Sequence, residues 1–266
     1  MGWYRVLYWL LPRRILSSWI LLAVASFGIL AAVTLMAIGA AYSQGIAEGG
    51  VRHFLSTSDP KILDVQVIVR SRPLGPADYQ SLRANVNQVI QSNLNQNLGP
   101  IVRETHRFGR APDDWPISTR TTVPRPQFGA PVGQPFFLTG FQEHSHIVEG
   151  RWPRDSQSDG LGTLELETVI GAETARRMNW QLGTQVSLFP FRSEPLERVL
   201  LTVVGLADAN EPQQEYWLSN ASYFGVQTIN GEQQLVPFYI TEESFLEGLG
   251  EEYPAVVGDF GWYLYL

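Results

Sequence analysis

The chain has 266 residues, with 19 lysines and arginines, 26 aspartates and glutamates and no cysteine, so its net charge is −7. Three of the arginines, Arg5, Arg13 and Arg14, stand near the N-terminus, which leaves a charge of −10 on the remainder. Nucleic acids and anionic lipid headgroups favour clustered cations, so this balance disfavours both as partners. The absence of cysteine excludes disulfides, thiol catalysis and thiolate metal sites.

An uncharged apolar run from Ile15 to Tyr42 is the first predicted element. A helix rises about 1.5 Å per residue, so roughly 20 residues cross the hydrocarbon core of a bilayer. We therefore predict a transmembrane helix over residues 15–43. Arginines precede it and all acidic residues follow it. The positive-inside rule then predicts a single-pass protein of the inner or plasma membrane, with a cytoplasmic N-terminus and an extracytoplasmic remainder.

Residues 1–14 are predicted to lie at the cytoplasmic membrane interface, because aromatic and basic side chains favour the headgroup level. The side chains concerned are Trp3, Arg5, Trp9, Arg13 and Arg14. The alternative is a cleaved signal peptide, with a cleavage site at Gly39-Ala40-Ala41. Signal peptides carry about 7–15 apolar residues, and the present run is about twice that length, which favours a retained helix.

The residues after the apolar run predict a mixed α+β domain. β-branched residues alternate over 62–69 and predict a strand. Apolar residues at 3- and 4-residue spacings, from Tyr79 to Leu94, predict a helix that begins near Pro76. Prolines recur over 101–135 and predict an irregular loop or a set of short edge strands.

From Phe136 onward the pattern is regular again. Short strands are predicted over 136–140, 168–170, 185–189, 198–206 and 235–240, with a short helix over 172–178 and a last strand that begins at Gly261. A further helix is predicted after Thr241, which suits the N-cap position.

Four segments in this order resemble the periplasmic core domain of ABC transporter permeases of the MacB/FtsX/LolC type. They are residues 146–153 (HIVEGRWP), 167–175 (ETVIGAETA), 180–186 (WQLGTQV) and 201–205 (LTVVG). Each is a glycine turn with apolar neighbours. Their order along the chain, behind an N-terminal apolar run, carries the resemblance.

The resemblance implies a MacB-like extracytoplasmic core domain of α+β fold over 44–210 and a second, smaller and more variable subdomain over 211–266. The chain would couple ATP hydrolysis by a separate ABC ATPase subunit to conformational change or substrate movement outside the membrane. No second apolar run follows before Leu266. The other transmembrane helices are therefore expected from a further permease segment or a second permease copy, with this chain as one part of a longer or split permease. The alternative is a membrane-anchored extracytoplasmic binding module without transport activity.

His144 and His146 are weak candidates for a metal site, because residues i and i+2 of a strand face the same side. A third ligand is missing nearby in the sequence, so neither a metal nor a cofactor is predicted. The chain has no G-x-S-x-G elbow and no Walker motif. Neighbouring glutamates such as Glu242 and Glu243 suit a solvated surface. We predict that the chain is not an enzyme.

Aromatic residues concentrate between 210 and 224, and their role in this segment has two interpretations. Exposed aromatic side chains on an outer loop would form a contact surface for a protein or substrate, whereas buried ones would belong to the core. The residues concerned are Tyr216, Trp217, Tyr223 and Phe224.

Overall fold

The computed structural model describes residues 23–36, 65–94, 102–119, 130–156, 163–191, 197–217, 221–229 and 231–265. Contacts divide the chain into two units, Met1–Ser58 and Asp59–Leu266.

In the first unit, residues 23–36 form helix α1. Its large apolar side chains are exposed: Val24, Phe27, Ile29, Leu30, Val33, Leu35 and Met36. Among the helices that the structure describes, none has the length and hydropathy needed to cross a membrane. The transmembrane helix predicted over 15–43 extends past the described residues on both sides.

The predicted interfacial side chains also lie outside the described residues. They are Trp3, Arg5, Trp9, Arg13 and Arg14.

In the second unit, the described residues form one sheet of eleven strands. The strands are β1 (Val65–Pro73), β2 (Glu104–Arg110), β3 (Trp115–Ser118), β4 (Val132–Leu138), β5 (Ser145–Gly150), β6 (Thr163–Gly171), β7 (Gln185–Leu188), β8 (Arg198–Ala209), β9 (Gln227–Ile229), β10 (Gln233–Tyr239) and β11 (Val257–Tyr265). The described residues thus mix strands with short helices, which is compatible with the predicted α+β class.

Six of these strands pair in a closed ring, in the order β4, β3, β7, β8, β6, β10 and back to β4. The β10–β4 and β6–β8 pairs are parallel, and the other pairs are antiparallel. The ring closes between β6 and β10, where Tyr239 is the register partner of Val169. The Thr168 hydroxyl donates a hydrogen bond of 2.9 Å to the Tyr239 carbonyl and strengthens this short contact.

Outside the ring, β2 pairs with β4, β11 with β2, and β1 with β11, all antiparallel. Strand β9 pairs with β10. The prediction of an irregular segment over 101–135 is therefore wrong for β2, which lies between two partners in the sheet, and for β3 in the ring. Beyond the boundary predicted at residue 210, β10 and β11 pair with strands that precede it.

Strand β8 pairs with three other strands of the sheet. One edge pairs with β6 from Arg198 to Ala207. The other edge pairs first with β7 and then with β5. At the change of partner, the Gly183 amide donates to the Val203 carbonyl (2.8 Å) and the Arg151 amide to the Val204 carbonyl (3.0 Å). Thus most of the long strand is paired on both edges.

Helices α2, α3 and α4 accompany the sheet in the described part of the second unit. They are α2 (Pro76–Val89, followed by the π-helical turn Ile90–Leu94), α3 (Ala172–Met178) and α4 (the π-helical Ser244–Leu249, continued by Gly250–Glu252). Pro76 in the first turn confirms the predicted start of α2. Before α4, the Ser244 amide donates to the Thr241 hydroxyl at 3.1 Å, which confirms Thr241 as a capping residue.

Side chains alternate between two cores on opposite faces of the sheet. On β11, Phe260, Trp262 and Leu264 join the larger core, which also contains Tyr79 of α2. The intervening Tyr263 and Tyr265 join a smaller aromatic core, which we call the aromatic cluster. Both faces are buried because successive side chains of a strand point to opposite sides.

An ion pair joins two of the four segments that carry the resemblance. The Arg151 guanidinium donates two hydrogen bonds to the Glu167 carboxylate, which also accepts one of 2.9 Å from the Arg154 amide. The hydrogen bonds from Arg151 are the main reason that the pKa of Glu167 lies below its ordinary value of 4.5. The pair therefore holds the chain after β5 against β6.

We expect Glu167→Gln to lower the free energy of unfolding at neutral pH and to make it less sensitive to acid. A carboxylate whose pKa is lowered by folding stabilises the folded state above its unfolded pKa, and this contribution is lost as the pH falls through the folded value. Urea unfolding of the full chain in mild detergent, from neutral pH to about pH 3, measures both effects. The control is Glu165→Gln, which removes an exposed carboxylate of the same strand. Equal pH profiles for the two variants would contradict the expectation.

Candidate functional site

A cleft of about 810 Å³ opens in the second unit. Its walls come from the first two turns of α2, the loop that follows β4, the chain after β5, and the segment from Tyr239 to Glu247 at the start of α4. Side chains from four separate elements therefore meet at one open space, which is a common setting for ligand binding.

An ion pair lies beside this cleft. Arg107 of β2 approaches Glu242 through both terminal nitrogens, at 2.9 Å (Nη1 to Oε1) and 3.1 Å (Nη2 to Oε2). The Tyr79 hydroxyl donates to Glu242 at 3.1 Å and accepts from Arg107 at 3.2 Å. Tyr79 is buried and the two charged side chains are partly buried, so their mutual contacts replace part of the hydration that they lose.

Tyr79 acts in this triad as a neutral hydrogen-bond donor. Burial is the main factor that raises the pKa of its hydroxyl above the ordinary value of 10.0, and the charge of Glu242 raises it further. The hydroxyl therefore keeps its proton at neutral pH and continues to donate it to Glu242.

The cleft has an acidic lining. Its carboxylates are Glu143, Asp155, Glu242, Glu243 and Glu247, and its arginines are Arg83 and Arg154. Arg107 neutralises Glu242 directly. The remaining charge favours a polar ligand with a cationic group over an anionic one.

A second group of polar side chains lies on the opposite face of β2. Glu104, His106 and His144 present ligand-type atoms that all lie within 4.8 Å of one another, and we call these three residues the histidine cluster. His106 Nε2 is 3.2 Å from Glu104 Oε2. A cavity of about 220 Å³ beside the cluster is lined by Glu104, His144 and Tyr216, among others.

The two histidines that were paired from the sequence have different hydrogen-bond partners. His144 Nδ1 lies 3.0 Å from Gln214 Oε1, whereas His146 Nδ1 lies 3.0 Å from Asn210 Oδ1. His144 belongs to the turn before β5, where its amide donates to the Gly140 carbonyl. The alternation of a strand therefore does not apply to His144, and the two rings are hydrogen bonded to different residues.

The aromatic residues between 210 and 224 lie in the core. Tyr216, Trp217 and Phe224 are buried members of the aromatic cluster, and the partly buried Tyr223 packs against it. This placement corrects the interpretation of these four side chains as an exposed contact surface. Their rings pack against others in the cluster, as Trp217 does edge-on against Phe141 at a centroid distance of 5.7 Å.

Sequence reasoning missed Glu104 and His106, because the prolines of 101–135 suggested an irregular segment. The pattern that could have revealed them is the alternation in Glu104-Thr105-His106-Arg107-Phe108. It places Glu104, His106 and the buried Phe108 on one face of a strand. A strand with this pattern places a carboxylate and an imidazole side by side.

The three histidines among the described residues contact carboxylate, amide or backbone oxygens through their ring nitrogens, and none is hydrogen bonded to a hydroxyl group. A serine or threonine nucleophile paired with one of them is therefore not formed in the described part of the chain.

Comparison with protein families, curated proteins and solved structures finds no match to this chain. The resemblance to permeases therefore rests on the residues themselves.

We expect Glu242→Gln to lower the free energy of unfolding by about 1–3 kcal/mol, because Arg107 would keep its charge in a partly buried place without its anionic partner. The double variant Arg107→Met/Glu242→Gln should be more stable than the sum of the two single losses predicts. Chemical unfolding of the wild type, the two single variants and the double variant in mild detergent gives the coupling energy.

The matched control is Glu251→Gln, which alters an exposed glutamate of the same helical segment. It should change stability by about 0.5 kcal/mol or less. Additive losses in the double variant would show that Arg107 and Glu242 act independently and would refute the expectation.

Proposed function

We propose that this chain is the first transmembrane helix and the extracytoplasmic domain of an ABC transporter permease of the MacB/FtsX/LolC type. It couples ATP hydrolysis by a partner subunit to conformational change or substrate movement outside the membrane. The observation that carries the proposal is the convergence of the four segments with which the chain resembles this family.

The four segments form one continuous patch around β8. Residues 201–205 lie in β8 itself, and 146–153, 167–175 and 180–186 include parts of its three partner strands. Gly150 and Val169 are both register partners of Gly205. Segments that are separate in the sequence thus make one structural unit, as expected if they belong to a common domain.

Helix α1 supports the membrane anchor. Its exposed side chains are almost entirely apolar, and such a surface is stable when hydrocarbon or another apolar partner covers it. The flanking sequence supplies Arg5, Arg13 and Arg14 on one side and acidic residues on the other. This arrangement favours an extracytoplasmic position for the second unit.

The second unit suits the transmission of force. Its strands are paired into one sheet with packed cores on both faces, so a displacement at one edge moves neighbouring strands with it. ATP hydrolysis itself is assigned to another subunit, because the sequence contains no Walker motif.

The absence of native cysteine permits a direct test of orientation. Val148 is 53% exposed on β5, so Val148→Cys should react with a membrane-impermeant maleimide in intact bacterial cells, after permeabilisation of any outer membrane. Gly2→Cys is the matched control and should react only after the cytoplasmic membrane is lysed. Reaction of Gly2→Cys in intact cells, or protection of Val148→Cys there, would contradict the proposed orientation.

The permease function predicts specific partners. The DNA next to this gene should encode an ABC ATPase and further transmembrane helices, and the products should purify with this chain as a complex that hydrolyses ATP. A complex whose ATPase carries a substituted Walker lysine serves as the control. Absence of such neighbours, or failure of the expressed products to associate, would refute the transporter and leave the second candidate.

The second candidate is a membrane-anchored binding module without transport activity. The acidic cleft of about 810 Å³ favours it, because a cavity of this size accommodates a small polar ligand without any ATPase. This function requires the anchor and the domain but no further membrane-spanning segment.

A further inference from the structure

We propose that the histidine cluster binds a divalent transition-metal ion, with Zn²⁺ as the best fit, through Glu104, His106 and His144. This site is separate from the proposed transport function and does not depend on it. Two imidazoles with one carboxylate form a ligand set that Zn²⁺ commonly uses, whereas Ca²⁺ and Mg²⁺ prefer oxygen ligands alone.

The backbone fixes two of the ligands. Glu104 and His106 are residues i and i+2 of β2, so they lie on the same face of the sheet. Their register partners on β11 are Tyr265 and Tyr263. The third ligand, His144, comes from the turn before β5, so a bound ion would join two segments that are well separated in the chain.

The outer contacts of the two imidazoles define which nitrogen is free. His106 Nδ1 lies 2.9 Å from the Thr139 carbonyl oxygen, and His144 Nδ1 lies 3.0 Å from the Gln214 side-chain oxygen. A carbonyl oxygen only accepts hydrogen bonds, so both Nδ1 atoms carry the proton. Each Nε2 then keeps a lone pair for an ion, in the arrangement by which proteins orient metal-binding histidines.

The close contact between His106 and Glu104 suits a bound cation. His106 Nε2 lies 3.2 Å from Glu104 Oε2, so the two ligand atoms are side by side. Two ligands at about 2.0–2.1 Å from a tetrahedral zinc ion are about 3.3 Å apart, close to the observed separation. Glu104 is 65% exposed in its side chain and has room to adjust to the ion.

The surrounding packing orients the imidazoles in advance. The His144 ring stacks on Tyr216 with a centroid distance of 3.8 Å, and the His106 ring meets Tyr216 edge-on at 4.9 Å. Gly140, at φ +82°, leaves the space for His106, because a Cβ at this position would lie 2.8 Å from the His106 ring. Ligands held by such packing lose little freedom when the ion binds.

Three protein ligands leave a fourth tetrahedral position. The cavity of about 220 Å³ next to Glu104 and His144 provides space there for water or a small ligand. The proposed site is therefore an open one.

The test uses the full chain in mild detergent, freed of metal with a chelator and titrated with ZnCl₂ by calorimetry. We expect one Zn²⁺ per chain, with loss of this binding in His106→Ala and in His144→Ala. Gln214→Leu should weaken it by about 10–100-fold, because it removes only the oxygen that orients His144. Circular dichroism of each variant verifies that it is folded.

His146→Ala is the matched control, because His146 is two residues from His144 but contacts Asn210. It should leave the affinity unchanged. The absorption of bound Co²⁺ gives a second readout, with the strong visible bands of four-coordinate Co²⁺ expected in the wild type and in His146→Ala but not in His106→Ala or His144→Ala.

Three results would overturn the proposal. The first is the absence of Zn²⁺ binding by the folded wild-type chain. The second is binding that persists in the His106→Ala/His144→Ala double variant. The third is an equal loss of binding in His146→Ala.

Discussion

The pairing of β8 on both edges is the constraint on which the second unit depends. β6 covers one edge of this strand, while β7 and β5 share the other edge in sequence. An unpaired length of a strand this apolar would expose backbone groups and invite association with other chains. The edge of β8 therefore has to pass from β7 to β5 without an unpaired gap. The amides of Gly183 and Arg151 donate to consecutive carbonyls of β8 at that point.

Burial on both faces of the sheet leaves few places for chemistry. Polar side chains within the strands need hydrogen-bond partners there, and the loops beside the sheet supply some of them. The turn after β4 is the clearest case. The Thr139 carbonyl accepts hydrogen bonds from His106 and Tyr216, and its hydroxyl accepts one from the Arg107 amide. One residue thus positions groups on both faces of β2.

Local pattern predicted single elements well, but it does not reach the pairing of strands that are far apart in the chain. The helix over 172–178 and the start of α2 at Pro76 follow from sequence signals that act within one turn. Pro116 and Pro135 misled the prediction, although both lie in strands. Proline removes one donor only, and its carbonyl still pairs, as Pro135 does with the Ala111 amide. Ring closure at Val169 and Tyr239 joins residues that are far apart in the chain, which periodicity does not reveal.

The candidate sites could not be predicted for the same reason, because their residues come from segments that are far apart in the chain. His144 and His146 are neighbours in sequence, yet a turn directs one to Gln214 and the other to Asn210. His106 joins His144 only because β4 brings its following turn beside β2. Since adjacent residues of a strand face opposite sides, His106 enters the histidine cluster while Arg107 enters the cleft with Glu242. Both hydrogen bond to Thr139, His106 through its ring and Arg107 through its backbone amide. The two sites are therefore connected through the backbone of one strand and one turn.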